Sequence, residues 1–220
     1  MITKLRLSLT ALALASLAAC GGTTVPLPVN NANVYPGNNL LPAGSGRLTA
    51  NEIVTVSQKL APGYNAAGVT TKAAVPTAGS ANYVGYVAGN MRAANLNSGN
   101  PVGLNGLTRL GVNFGSQQVD GTIGNFVTSS GNQVEGNLDI DGRLNRSLNP
   151  SQVTILGNVR GAINNGTIGV NGSITDNNGR AGGFKGNTAQ YVGLPMRGQI
   201  SANGTPGTFA LNGVLGRTSN

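Results

Sequence analysis

The stretch VEGNLDID, residues 134–141, decides the fold of this chain. Its apolar side chains, Val134, Leu138 and Ile140, alternate with acidic and amide residues, and Gly136 completes the apolar set. Side chains along a β-strand point alternately to opposite faces, so this pattern predicts a strand with one buried face and one solvated face. Strands of this kind are typical of antiparallel sheets.

The same alternation recurs on both sides of this stretch. An antiparallel up-and-down sheet closes into a barrel only with an even number of strands, and closure removes edges that could pair with another molecule. We therefore expect an all-β fold over residues 80–220, an antiparallel up-and-down eight-stranded β-barrel in which 180–185 is not a strand of its own. The candidate runs are residues 81–88, 107–115, 118–128, 134–141, 153–163, 168–174, 180–185, 194–201 and 209–215.

Asn-Gly pairs punctuate these runs in two ways. Pairs such as Asn203-Gly204 fall between runs, where a tight hairpin needs residues that tolerate positive φ. Pairs such as Asn171-Gly172 fall inside a run, where glycine permits the bulges and sharp coiling of a small barrel. The first kind predicts turns and the second predicts irregular strands.

The chain begins with a processing signal. Lys4 and Arg6 precede an apolar run, residues 7–19, which is too short to span a bilayer core as a helix. The run ends in Leu-Ala-Ala-Cys20, which resembles a bacterial lipobox, so we expect residues 1–19 to be a lipoprotein signal peptide and Cys20 to be lipidated. An ordinary secretory signal with an incidental cysteine is the alternative, but a free thiol is a liability in an oxidising envelope.

The segment after the anchor is expected to link it to the barrel. Gly21 is not the Asp that resembles an inner-membrane retention signal, so the outer membrane is the predicted location. Residues 20–79 are rich in Asn, Pro, Gly, Ala and Thr, and we interpret them as the lipidated Cys20 followed by an extended, flexible tether.

One part of this tether, residues 46–60, allows two interpretations. Thr49 and Glu52 have the spacing of a capping box, with Ile53 and Val56 on one helical face. The apolar residues 53–56 also suit a strand. The sequence leaves the choice between helix and strand open.

The composition excludes several classes of chemistry. The chain has no His and one Cys, which excludes a Ser/His/Asp triad, His-ligated zinc or haem, and an internal disulfide. The closest acidic pair, Asp139 and Asp141, is expected to face solvent on a convex wall with no cleft to raise either pKa. No cofactor motif is present, so we expect no enzyme activity and no cofactor.

The charge balance favours acidic partners. Removal of Lys4 and Arg6 with the signal peptide leaves 12 basic residues against 6 acidic ones, a net charge of +6. The basic residues are scattered and lack interleaved aromatic residues, so we do not expect nucleic-acid binding.

The best candidate for a partner-binding site is the connection within residues 142–151. It is too long for a tight turn, and Arg143, Asn145, Arg146 and Asn149 are predicted to form a partner-facing edge there. The alternative is that these side chains serve solubility alone.

A second long connection, residues 89–105, is expected at the other end of the barrel. In an up-and-down meander it is the first connection and 142–151 is the fourth, which places the two at opposite ends. A single binding surface would therefore use only one of them.

Five short motifs occur in an order that resembles a known family. They resemble the β-barrel domain of transferrin-binding protein B, although Lys185 stands where that family has an aromatic residue, and the chain has one barrel where the bilobed member has two. The resemblance implies a single-barrel surface lipoprotein with a protein ligand. The motifs are Ala-Asn-Tyr-Val-Gly at 81–85, Val-Asn-Phe-Gly at 112–115, Gly-Thr-Ile at 121–123, Gly-Phe-Lys-Gly-Asn-Thr-Ala at 183–189 and Gly-Thr-Phe at 207–209.

Three functions remain open at this point. The first is a monomeric, outer-membrane-anchored lipoprotein whose barrel loops bind a protein partner or a nutrient carrier. The second is a lipocalin-like carrier of a small apolar ligand, since several inward positions are glycine and could leave a lumen. The third is a structural envelope lipoprotein without a specific ligand.

Overall fold

The computed structural model describes residues 50–218, with side chains from residue 53 onward. The predicted signal peptide and Cys20 lie outside this part of the chain. One helix, α1 (Ala50–Ala66), precedes the strands. The strands are β1 (Ser80–Ala93), β2 (Val102–Asn113), β3 (Gln118–Thr128), β4 (Gln133–Val134), β5 (Gly136–Asn145), β6 (Thr154–Ile163), β7 (Ile168–Ser173), β8 (Gly182–Lys185), β9 (Tyr191–Ala202) and β10 (Thr205–Arg217).

The strands form one closed antiparallel barrel. β10 pairs with both β9 and β1, so the sheet has no open edge there. Two barrel strands are interrupted: β4 and β5 both pair with β3, and β7 and β8 both pair with β6 and β9. Counting each interrupted strand once gives eight strands in up-and-down order. The predicted fold is confirmed.

The apolar face of the deciding stretch points into the barrel. Leu138 and Ile140 are buried, whereas Asp139 and Asp141 are exposed. The first residue of the stretch, Val134, is also buried. Because the inward residues of all strands share this interior, most buried apolar side chains form a single cluster.

Neighbouring large side chains cover the inward glycines. A Cβ atom at Gly172 would lie 2.5 Å from Cζ of Phe209, and one at Gly198 would lie 2.9 Å from Cε1 of the same ring. A Cβ atom at Gly106 would lie 2.8 Å from Cδ1 of Phe126. These glycines therefore make room for aromatic rings, which fill the space that a lipocalin-like lumen would need.

Helix α1 packs on the outer wall of the barrel. Ile53 clusters with Val84, Leu107 and Val127, which face outward, and this cluster is separate from the interior. Residues 53–56, which the sequence left open between helix and strand, are thus helical. The helix packs one apolar face against the wall. Near the C-terminal end of α1, the ammonium group of Lys185 lies over the ring of Tyr64, 4.3 Å from the ring centroid.

The chain between α1 and β1 also packs against the barrel. Val75 is buried in the main core. Val69 forms a β-bridge with Lys185, and the Thr70 hydroxyl donates to the carbonyl of Gly186. Among residues 50–218, no helix is long and apolar enough to cross a membrane.

Candidate partner-binding site

The connections between strands gather at two ends of the barrel. Residues 142–151 and 89–105 lie at opposite ends, as predicted, although β1 and β2 are longer than expected and leave only 94–101 between them. We call the end formed by the connections 114–117, 146–153 and 186–190 the Leu148 end, and the end formed by 94–101, 129–132, 164–167 and 203–204 the Asn203 end.

Asparagine side chains fix the backbone of the connection 146–153. Oδ1 of Asn145 accepts hydrogen bonds from the backbone N–H groups of Ser147 (2.9 Å) and Leu148 (2.7 Å). Oδ1 of Asn149 accepts from the N–H of Ser151 (2.8 Å). Asparagine side chains that bond to backbone two or three residues ahead stabilise turns, so this loop has a defined shape before any partner arrives.

Residues 67–79, which precede β1, also hold the connection 146–153 in place. The Arg146 guanidinium donates a hydrogen bond to the carbonyl of Pro76. The N–H of Lys72 donates to the carbonyl of Ser151 over 2.9 Å. Both ends of the loop are therefore held by residues 67–79, which lie across the Leu148 end.

The loop presents an apolar side chain to solvent. Leu148 is 64% exposed, and Val69, at the same end, is 54% exposed; among residues 53–218 these are the large apolar side chains that stay in solvent. A single exposed leucine is ordinary, but one that stands on a rigid loop loses little conformational entropy when a partner covers it. Leu148 is thus the strongest contact candidate at this end.

The structure divides the four predicted site residues into two groups. Asn145, Arg146 and Asn149 are half-buried and come together in the loop, where each bonds to the backbone. Arg143 is exposed on the outer wall of β5. The side chains of Asn145, Arg146 and Asn149 hold the loop in shape, whereas that of Arg143 does not.

Sequence reasoning missed Leu148 itself. The available signal was an apolar residue inside a polar connection, flanked by two asparagines that fix its backbone.

Charge is unevenly distributed between the two ends. Each end comprises its connections and the three strand residues next to them, and the Leu148 end also includes residues 67–79. The Asn203 end has one basic and one acidic residue, Arg92 and Glu135. The Leu148 end has one acidic residue, Asp120, against the basic residues Lys72, Arg143, Arg146, Lys185 and Arg217.

The acidic pair singled out in the sequence lies on the outer wall of the barrel. Asp139 and Asp141 are exposed on the outer face of β5, opposite Arg160 and Asp120 in the neighbouring strands. Within the part of the chain that the structure covers, no group of three or more His, Cys, Asp or Glu residues could hold a metal ion. The fold and the Leu148 end together define a closed antiparallel barrel that presents a preformed loop.

Comparison with known proteins assigns no family. No family model matches the chain, and no curated protein matches it. Among solved structures, it is similar to a double and a single mutant of the vaccine antigen transferrin-binding protein B from Haemophilus parasuis Hp5, with 20% identity over 69% of this chain and TM-scores of 0.44 and 0.45. It is also similar to intact Ap-TbpB, with its N and C lobes, at 16% identity over 68% of this chain and a TM-score of 0.44.

The chain spans less than a third of each of these proteins, 28% or 29% of their length. A similarity of this size assigns neither a family nor a ligand to the chain.

Proposed function

We propose that this chain is an outer-membrane lipoprotein, anchored through Cys20, whose barrel binds a protein partner or a nutrient-carrying protein through the Leu148 end. The observation that carries the proposal is Leu148, an exposed apolar side chain on a loop that is rigid without a partner. Binding energy at protein interfaces concentrates in a few such side chains. The barrel then acts as a stable support and performs no catalysis.

The charge of the Leu148 end supports a partner with an acidic surface. Five basic residues stand there against one acidic residue. Complementary charge raises the rate of encounter and suppresses wrong partners. Closure of the sheet leaves no barrel strand to pair with a second copy, which favours a monomer as the binding form.

A photocrosslinking amino acid at position 148, in the full chain expressed in its native cell, tests the binding proposal. We expect one protein to be crosslinked from position 148 and not from position 100. Position 100 is the control, because Asn100 is also exposed but lies at the Asn203 end. Crosslinking from position 100 alone would place the partner at the Asn203 end and would contradict the proposal. No specific crosslink from either position would leave the structural lipoprotein as the better description.

The anchor needs a test of its own. We expect metabolic labelling with palmitate to tag the wild-type chain and to fail for Cys20→Ser, which should leave the membrane fraction. Labelling of the Cys20→Ser variant would contradict lipidation at this residue, whatever the barrel binds.

A further inference from the structure

An excursion from a barrel strand forms an overhang on the outer wall. Residues 174–181 separate β7 from β8, although both pair with the same two strands. The excursion is rigid: Oδ1 of Asp176 accepts hydrogen bonds from the N–H groups of Asn178 (2.7 Å) and Arg180 (2.8 Å). The Asp176 N–H in turn donates to the carbonyl of Arg180 over 2.9 Å.

A groove of about 510 Å³ lies between this overhang and the wall formed by β9, β10 and β1. Its volume falls in the range of about 300–1,000 Å³ that is usual for small-ligand sites. It is separate from the Leu148 end, since its wall residues lie in the halves of β9 and β10 that are nearer the Asn203 end. The side chains that matter for its chemistry are Arg197, Gln199, Thr208, Asn90, Asn177 and Thr175.

The lining provides amides, hydroxyls and one guanidinium. Nη1 of Arg197 lies 3.4 Å from Oδ1 of Asn177, so the cation is directed to the overhang. The described lining contains no carboxylate. The nearby carboxyl of Asp176 accepts hydrogen bonds within its own turn. These bonds, that from Arg180 first, lower its pKa, and the positive charges of Arg180 and Arg197 lower it further. The lining itself thus carries one positive charge and many hydrogen-bonding groups, and the charged Asp176 carboxyl of the overhang interacts with that cation.

Other ligand classes fit this lining poorly. A lipid or an apolar peptide side chain would need apolar surface, but Phe209 points inward and is 5% exposed. A nucleic-acid base would need an exposed aromatic platform for stacking, which the lining lacks.

We propose that this groove binds an acidic saccharide, with the sugar carboxylate paired to the Arg197 guanidinium and its hydroxyls hydrogen-bonded to the surrounding amides and hydroxyls. A guanidinium offers paired donors that match the two oxygens of a carboxylate. Asn, Gln and Thr can each donate to and accept from a sugar hydroxyl. This site is independent of the partner-binding proposal, because it uses none of the same residues.

Calorimetric titration of the purified full chain tests the proposal. The probes are a hexuronic-acid disaccharide, its carboxyl-reduced counterpart and inorganic phosphate. We expect the acidic disaccharide to bind, and the reduced form and phosphate to bind more weakly by about tenfold or more, because a charge-assisted hydrogen bond is lost or the hydroxyl contacts are missing. Phosphate binding as tight as that of the disaccharide would overturn the proposal, since it would indicate a simple anion site.

Matched variants locate the site. Arg197→Gln should weaken binding of the acidic disaccharide by about tenfold or more. Arg160→Gln removes the same charge from an exposed outward position on β6, outside the groove, and should leave binding unchanged. Equal losses in both variants would show non-specific attraction and overturn the assignment. If Arg197→Gln fails to fold, Gln199→Ala, at an exposed lining position, should still weaken binding, and unchanged binding would reject the groove.

Discussion

At the scale of single residues, the barrel depends on inward positions that have no side chain. Gly172 was expected to permit a bulge, but it pairs regularly with Val159 and Gly198 on either side. Its role is instead to leave room for the Phe209 ring. Among the described strands, a register shift occurs instead between Asn105 and Leu107, where β2 pairs with β3.

We therefore predict that Gly172→Ala destabilises the chain by about 2 kcal/mol or more, because overpacking a filled interior forces backbone or rings to move. The new methyl group would lie 2.4 Å from the carbonyl oxygen of Arg197 and 2.5 Å from Phe209. Gly169→Ala, in the same strand, is the control, since nothing lies within 4 Å of a Cβ there. Urea denaturation measures both; equal stabilities would mean that the Phe209 ring and the Arg197 carbonyl both move aside at no cost.

A buried phenol gives the chain a dependence on alkaline pH. Tyr83 is buried, and its hydroxyl donates a hydrogen bond to the carbonyl of Ala189 over 2.7 Å. Burial raises the pKa of Tyr83 from 10.0 to about 12, although the charge of Arg217 opposes the shift. Between these two values the folded chain holds a proton that the unfolded chain has released, so stability falls as pH rises.

We predict that the free energy of unfolding decreases from pH 10 to about pH 12 and that Tyr83→Phe removes part of this decrease. At pH 7 the same substitution should cost about 1 kcal/mol, because the Ala189 carbonyl loses its donor. Denaturant titrations of both proteins at pH 7, 9.5 and 11 provide the measurement. Parallel losses in wild type and variant would show that other groups cause the alkaline transition.

At the scale of elements, the sequence predicts strands better than it predicts what covers them. The run 134–141 has a strict period of two, and its buried face was correct, although the strand is interrupted at Glu135, between β4 and β5. The sequence could not decide whether residues 53–56 form a helix or a strand, because their apolar side chains suit both. The choice depends on the barrel wall that these side chains contact. The Leu148 loop could be placed at one end, but its shape depends on Arg146 reaching Pro76, 70 residues earlier in the chain.

Helix α1 packs on the barrel from outside the main core. Its apolar contact through Ile53 belongs to a cluster outside the main core. We predict that Ile53→Ala costs about 2–4 kcal/mol of docking free energy and reduces hydrogen-exchange protection in α1, while the strands keep theirs. Val69→Ala, at an exposed position, should change neither. Equal loss of protection in α1 and in the strands would show that the helix is an integral part of the cooperative unit.

At the scale of the whole molecule, the two ends of the barrel differ in their charge. The Leu148 end holds five basic residues and the Asn203 end one. Exposed charges act over about 8 Å at physiological salt, so an approaching acidic surface is attracted mainly to one end. Orientation at encounter would then be selected before Leu148 makes contact.

We predict that association with the partner crosslinked from position 148 slows as salt rises from about 50 mM to about 500 mM, while dissociation changes little. Arg143→Gln should lower the association rate a few-fold, because this exposed side chain holds no loop in place. Arg92→Gln removes the same charge from the Asn203 end and is the control. Equal effects of the two substitutions, measured by surface plasmon resonance, would mean that net charge alone attracts the partner and that its uneven distribution along the axis selects no orientation.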